Sequence, residues 1–174
     1  MKILLLNKYW YRRGGADHYA IWLADELVRR GHEVRVFSVL HPQNIADHHP
    51  VCISGVETER LRLLDAPRTV GRMFWSFEAQ EKLRALLQGW PPDVAHVHNI
   101  YTQMSPSVLP VLKKAGVPIV AHVHDYALLS ANYSLFDRYG IDRIGSFWSV
   151  VARRGVKDSY VASAIAAVAF AFHR

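Results

Sequence analysis

The sequence predicts an α/β fold, a doubly wound parallel sheet of the Rossmann-like kind, and three features of its 174 residues point there. Short apolar runs alternate with longer amphipathic stretches, the pattern of strands joined by crossover helices. The first run, Ile3-Leu4-Leu5-Leu6, is apolar at consecutive positions, as a parallel strand covered on both faces should be. A strand, a helix and a second strand then fit within the first 40 residues, the size of one βαβ unit whose crossover is right-handed. With 51% hydrophobic and 21% charged residues the chain can bury a proper core, which argues against disorder. The length suits one such domain over residues 1–174, and not two large ones.

Residues 2–7 read as the first strand; their apolar run is too short for a signal-peptide core and lacks a small-residue cleavage site. A polar, aromatic loop follows, Lys8-Tyr9-Trp10-Tyr11-Arg12-Arg13, ending in Gly14-Gly15. From Ala16 to Arg30, the apolar positions Tyr19, Trp22, Leu23 and Leu27 recur at helical spacing. Arg29 and Arg30 suit the negative end of that helix, and Gly31 is a natural C′ residue. Val34 to Phe37 is the second strand, and Val51-Cys52-Ile53 a short third within the irregular residues 41–67. Residues 69–88 form a helix stopped by Gly89-Trp90-Pro91-Pro92, and residues 94–98 a strand. Ser105 as N-cap, Pro106 at the first helical position and Gly116 at the end bracket a short helix. Residues 118–124 give a further strand and, after a long loop, residues 158–173 a last helix. Its apolar stretch is well short of the ~20 residues that span a bilayer.

The formal charge of +6 points to an anionic partner such as a nucleotide, a phospholipid surface or nucleic acid, or else to nothing more than a soluble surface. A nucleic-acid partner has no recognition motif to support it. The single cysteine, Cys52, excludes an internal disulfide and any CxxC metal knuckle, and fits a reducing compartment. The basic, aromatic region from Arg60 to Arg72, followed by Met73-Phe74-Trp75, has the composition of a surface-seeking segment. Helices of this kind either touch a membrane or pack on their own domain.

In such sheets ligands sit beyond the carboxyl ends of the strands, which singles out loops 8–15, 98–105 and 124–134. Gly14-Gly15 precedes the first helix, where glycine admits a close ligand and the helix N-terminus favours an anion such as phosphate. The competing reading is a tight turn and nothing more. The pair is not GxGxxG, and Phe37 is followed by Ser38, Val39 and Leu40 instead of an acidic residue, which weakens a nicotinamide-dehydrogenase reading. No Gly-Lys-Ser/Thr of a Walker loop is present. His96/His98 and His122/His124 close two strands expected to be neighbours, so the four imidazoles can gather at the ligand edge. Without a carboxylate or thiolate spaced to complete a site, zinc is disfavoured. Instead His98 and His124 are expected to reach the cleft, with His96 and His122 deeper. Asp125 either orients His124 or caps the next turn. Tyr9, Trp10 and Tyr11 are expected to be partly exposed, stacking on a sugar, leaning on a second domain, or packing on the sheet edge.

In order and spacing, several stretches resemble one family. They are Asn7-Lys8-Tyr9 through Gly14-Gly15-Ala16, Arg30-Gly31-His32-Glu33-Val34 with Phe37-Ser38, and Pro92-Asp93-Val94-Ala95-His96-Val97-His98-Asn99. Leu112-Lys113-Lys114-Ala115-Gly116-Val117-Pro118 and His124-Asp125-Tyr126 complete the set. The chain resembles the N-terminal domain of family 4 glycosyltransferases of GT-B architecture, over essentially its whole length.

The resemblance implies one half of a two-domain enzyme, the C-terminal donor-binding domain being absent from this chain, which alone would be inactive. It implies a nucleotide-sugar donor as substrate, an acceptor sugar or lipid-linked sugar, retention of configuration, no required cofactor and no metal. Gly14, Gly15 and Ala16 would meet the donor phosphates, and His124 the transferred sugar, with Asp125 in support. Tyr9, Tyr11, Arg12, His98, Asn99, Asn132 and Tyr133 would line the acceptor side of the cleft. The expected setting is cytoplasmic, with peripheral contact at the inner membrane face, in cell-surface polysaccharide or glycolipid synthesis. A non-catalytic sugar- or nucleotide-binding module of the same fold is the alternative. The chain departs from the family in lacking cysteines around Ser130-Ala131-Asn132-Tyr133 and Arg154-Gly155-Val156-Lys157, and in carrying His122 where a small or hydroxyl residue is usual.

Overall fold

The computed structural model describes residues 1–55, 66–141 and 147–173. The chain forms two compact units, Met1–His122 and Val123–Arg174. The first holds β1 (Lys2–Leu6), α1 (Gly15–Arg29), β2 (Glu33–Val39), β3 (Val51–Ile53), α2 (Ala66–Phe74), α3 (Phe77–Gly89), β4 (Val94–Val97), α4 (Val108–Lys114) and β5 (Ile119–Ala121). The five strands are parallel, in the order β3-β2-β1-β4-β5. Successive strands leave the central β1 first to one side and then to the other. Their connections therefore diverge at the carboxyl ends of β1 and β4, where this class of sheet opens a crevice.

Side-chain alternation explains the unbroken apolar run of β1. Leu4 and Leu6 join one core cluster with residues of α3 and α4, while Ile3 and Leu5 join another with Ala20, Ile21 and Ala24 of α1. Both faces are covered, and Leu4, Leu5 and Leu6 are each 0% exposed. The small residues Ala20 and Ala24 form the seam of α1, whereas Trp22 is 56% exposed in spite of its apolar ring. At the other end of α1, Gly31 takes φ of 83° and its N–H donates to the Val28 carbonyl at 2.9 Å.

Several expected boundaries are corrected. The single helix over 69–88 is two helices, because the chain breaks at Trp75-Ser76 and Ser76 Oγ caps α3 by accepting the Ala79 N–H at 3.3 Å. Arg72 is buried, donating to the Ser54 carbonyl at 2.9 Å and lying 3.3 Å from Glu78, so this end of the basic segment faces inward. Residues 56–65, with Arg60 and the rest of that segment, lie outside the described residues. Helix α4 starts at Val108 and not at Pro106, because Ser105 takes a left-handed φ of 59° that an N-cap does not adopt. Its hydroxyl instead lies 2.6 Å from that of Ser107. Both strands 94–98 and 118–124 stop early, β4 at Val97 and β5 at Ala121.

The second unit contains a hairpin of β6 (Phe136–Asp137) and β7 (Gly140–Ile141), then α5 (Phe147–Ala152) and α6 (Tyr160–His173). The long loop expected here hides the hairpin and α5, both too short to leave a periodic pattern in sequence. Asp137 binds Arg153 with both carboxylate oxygens, at 2.6 and 3.0 Å, joining the hairpin to the chain just after α5. Among the described residues no helix is long and apolar enough to cross a membrane.

Candidate functional site

The crevice at the ends of β1 and β4 is stitched by backbone. Past β1, the Lys8 N–H donates to the Asn99 carbonyl at 2.8 Å, and the Lys8 carbonyl accepts the Val39 N–H at 3.1 Å. The His98 N–H donates to Leu6 at 2.9 Å. Three strands thus hand their following loops to one rim. Asn7, the polar residue that ends the apolar run, is fully buried there. Its amide nitrogen donates to the Tyr9 carbonyl at 2.8 Å and to Asp17 Oδ1 at 2.9 Å, and its Oδ1 accepts the Asn99 N–H at 3.4 Å.

Asp17 lies in the first turn of α1, and its second carboxylate oxygen accepts the Gly14 N–H at 3.2 Å. Burial pushes this carboxyl above the usual range, opposed by the hydrogen bonds from Asn7 and Gly14 and by the charges of Lys8 and Arg13. The Asp17 and His18 N–H groups both donate to the Gly14 carbonyl. That leaves the N–H groups of Gly15 and Ala16 without a protein acceptor among the described residues.

Neither Gly14 nor Gly15 has a positive φ, the φ of Gly14 being −146°. A Cβ at Gly15 would meet nothing within 4 Å, and one at Gly14 only Asp17 Oδ2 at 3.7 Å. The backbone therefore does not require glycine at this turn, and a tight turn fails to explain the pair. The turn is open and basic. Arg12 and Arg13 are exposed, the Arg13 guanidinium lies 4.5 Å from the Tyr9 ring and Lys8 Nζ 4.9 Å from the same ring. Burial raises the Tyr9 hydroxyl above its ordinary value, with Arg13 acting against that. Tyr11 is half-buried and stacks on His41 at 4.1 Å. Trp10 corrects the expectation of partial exposure: it is fully buried, and its Nε1 donates to the Asp47 carbonyl at 3.3 Å.

The histidines sort differently from the expected split. His98 is buried at 5% exposure, while His96 and His122 are half-buried. His96 pairs in register with Leu5 of β1, on the α1 face of the sheet, and His98 lies beside it near Tyr19 of α1, at 6.0 Å between rings. His98 and His122 stack at 5.3 Å, His96 lies 4.5 Å from His98, and Tyr19 of α1 lies 4.6 Å from His122. Among the described residues no group of three or more His, Cys, Asp or Glu side chains is arranged to hold a metal ion.

The remaining candidates belong to the second unit. His124 and Asp125 are half-buried, and Asp125 Oδ1 accepts the Ala127 N–H at 2.9 Å, so this carboxylate shapes the turn after it. Tyr133 is exposed. Asn132 is fully buried: its N–H donates to Ser130 Oγ at 3.1 Å and its Oδ1 accepts from Ser134 Oγ at 2.9 Å. That side chain builds the loop.

The family model of a glycosyl transferase 4-like domain matches residues 14–170, nearly the whole chain. The chain belongs to that family. Over 150 residues it is 25% identical to an uncharacterized 42.6 kDa protein in the cps region of Klebsiella pneumoniae, a match covering 78% of this chain and 40% of that protein. Among solved structures, the crystal structure of Acinetobacter baumannii MurG is similar with a TM-score of 0.49 and 16% identity, over 71% of this chain and 35% of that one. This glycosyl transferase 4-like chain thus spans less than half the length of either.

Two residues of the rim were missed by sequence reasoning. Asp17 stands three residues after Gly14, the spacing at which an acidic side chain closes back on a helix start, so a signal existed. Asn7 left a weaker one, a lone amide ending an apolar strand.

Proposed function

We propose that this chain is the acceptor-side half of a retaining glycosyltransferase of GT-B architecture. It moves a hexose from a nucleotide-sugar to an acceptor hydroxyl, in cell-surface polysaccharide or glycolipid synthesis. The donor-binding half is supplied by a further domain or a partner chain, and this chain alone is inactive. The enzyme works in the cytoplasm, in peripheral contact with the inner membrane face, and needs no metal or cofactor.

The observation that carries this reading is the open Gly14-Gly15 turn, where glycine is not needed by the backbone and two N–H groups have no protein acceptor among the described residues. A diphosphate brought to that turn meets the Gly15 and Ala16 amides, the positive end of α1 and the charges of Lys8, Arg12 and Arg13. The chemistry breaks the bond between the sugar and the diphosphate, so negative charge grows on the departing phosphate oxygen. Fixed amides and cations aimed there stabilise that charge more in the transition state than before it. His124 contacts the transferred sugar, Asp125 steadies the turn beside it, and Tyr9, Tyr11, Arg12, His98, Asn99 and Tyr133 serve the acceptor side.

The test is full-length protein incubated with a panel of nucleotide-sugars and acceptor glycolipids, with and without EDTA, with the product anomer read by NMR. Transfer from one donor with retained configuration and no EDTA effect is expected. Absence of transfer from every donor, or an inverted product, overturns the reading.

A further inference from the structure

The rim contains a buried carboxylate that the proposed chemistry does not use. Asp17 sits at the start of α1, where a second anion would disfavour the diphosphate by like-charge repulsion unless the carboxylate is otherwise engaged. It is engaged at both oxygens, by Asn7 at 2.9 Å and by the Gly14 N–H at 3.2 Å. Asn7 in turn holds the Tyr9 carbonyl and the Asn99 N–H, so one fully buried amide ties the end of β1, the glycine turn and the loop after β4 together.

We infer that Asp17, held by Asn7, is the positioning residue of the glycine turn. Its carboxylate takes up the Gly14 N–H and fixes the turn so that the Gly15 and Ala16 N–H groups form the pair presented to a diphosphate. The inference rests on the donor-phosphate reading of that turn and deepens it. Asp17 does not touch the ligand. It sets the direction of the groups that do, as a buried, fully hydrogen-bonded side chain can. A side chain of this kind matters most where the supported group is otherwise loose, and Gly14-Gly15 is such a place because glycine backbone has the widest conformational freedom.

The experiment uses full-length protein, with UDP, GDP and ADP as probes in titration calorimetry. Asp17→Ala is expected to weaken the bound nucleoside diphosphate about tenfold, the scale of losing hydrogen bonds to a charged group. Asp17→Glu, the residue type that most often closes a helix start in this way, restores most of the affinity. Ser76→Ala removes the cap of α3, on the sheet face opposite α1, and serves as the control: it lowers the Tm and leaves affinity unchanged. Equal loss of affinity in Asp17→Ala and Ser76→Ala marks general destabilisation and overturns the inference. Native affinity in Asp17→Ala beside a loss in Gly15→Val overturns the role of Asp17 while the donor turn stands. Native affinity in both variants sinks the donor turn as well. Where Asp17→Ala does not yield folded protein, Asp17→Asn, of the same size without the charge, decides: weaker binding upholds the inference and native or tighter binding overturns it.

Discussion

At its C-terminal end α1 is closed by Gly31, whose φ of 83° is a conformation that side-chain-bearing residues rarely adopt, while at its N-terminal end Gly14 and Gly15 have no such need. The same residue type is thus required by the fold at one end and not required by it at the other. Gly116, with φ of 72° after α4, belongs with Gly31. The lesson is that a glycine becomes informative about ligands only once its backbone has been shown not to require it.

The sharpest way to break this comparison is Gly15→Val. The added side chain has open space in the protein, so Tm should stay within a few degrees of the native value. Nucleoside diphosphate affinity should fall about 100-fold, equivalent to about 2.7 kcal/mol. Unchanged affinity in calorimetry would return the glycine pair to the status of an ordinary loop. Gly31→Val should do the reverse. Forcing a branched residue into the left-handed region costs about 1–2 kcal/mol, seen as a lower Tm with ligand affinity intact. A smaller effect is expected from Ser76→Ala, about 1 kcal/mol by denaturant unfolding, since it leaves the Ala79 N–H of α3 without its cap. If Ser76→Ala proves silent, the break between α2 and α3 is set by packing and not by the serine.

The parallel sheet and its covering helices were legible in sequence because they rest on long patterns: consecutive leucines in β1, amphipathic helices, and glycines after α1 and α4. What failed were the short-range decisions. The Trp75-Ser76 break interrupts a pattern that reads as one helix, and Ser105 imitates an N-cap while occupying a backbone region that forbids it. Trp10 lies in a polar, aromatic loop, which predicts partial exposure. Only the path of the loop past Asp47 shows that its ring is enclosed. At the candidate site Gly14, Gly15 and Ala16 could be named from their place between strand and helix. Asp17 left a signal in its spacing from Gly14 and Asn7 a weaker one, but the hydrogen bond that joins them, between residues ten apart, was not legible.

Two helix starts also carry an acidic residue, and they titrate in opposite senses. At the start of α3, burial pushes the Glu78 carboxyl up. Hydrogen bonds from Ser54 and Lys82 and the charge of Arg72 outweigh this and hold it at about 2, against an ordinary 4.5. Between those values the unfolded chain binds a proton that the folded one does not. The stabilisation from Glu78 is therefore complete above about pH 4.5 and lost as pH falls through about 2. Asp17 is shifted upward from 3.8 by burial, so the folded chain protonates first and stability declines as pH rises through that raised value. The two slopes oppose each other, and removing one should expose the other. Glu78→Gln should lower Tm at pH 7 and flatten its decline between about pH 4.5 and 2. Asp137 and Glu26, held down by their arginines, keep part of the slope. A Tm-against-pH curve in Glu78→Gln as steep as the native one would show that acid breaks those other pairs first, and that the α3 start, unlike that of α1, is fixed by its serine cap and not by charge.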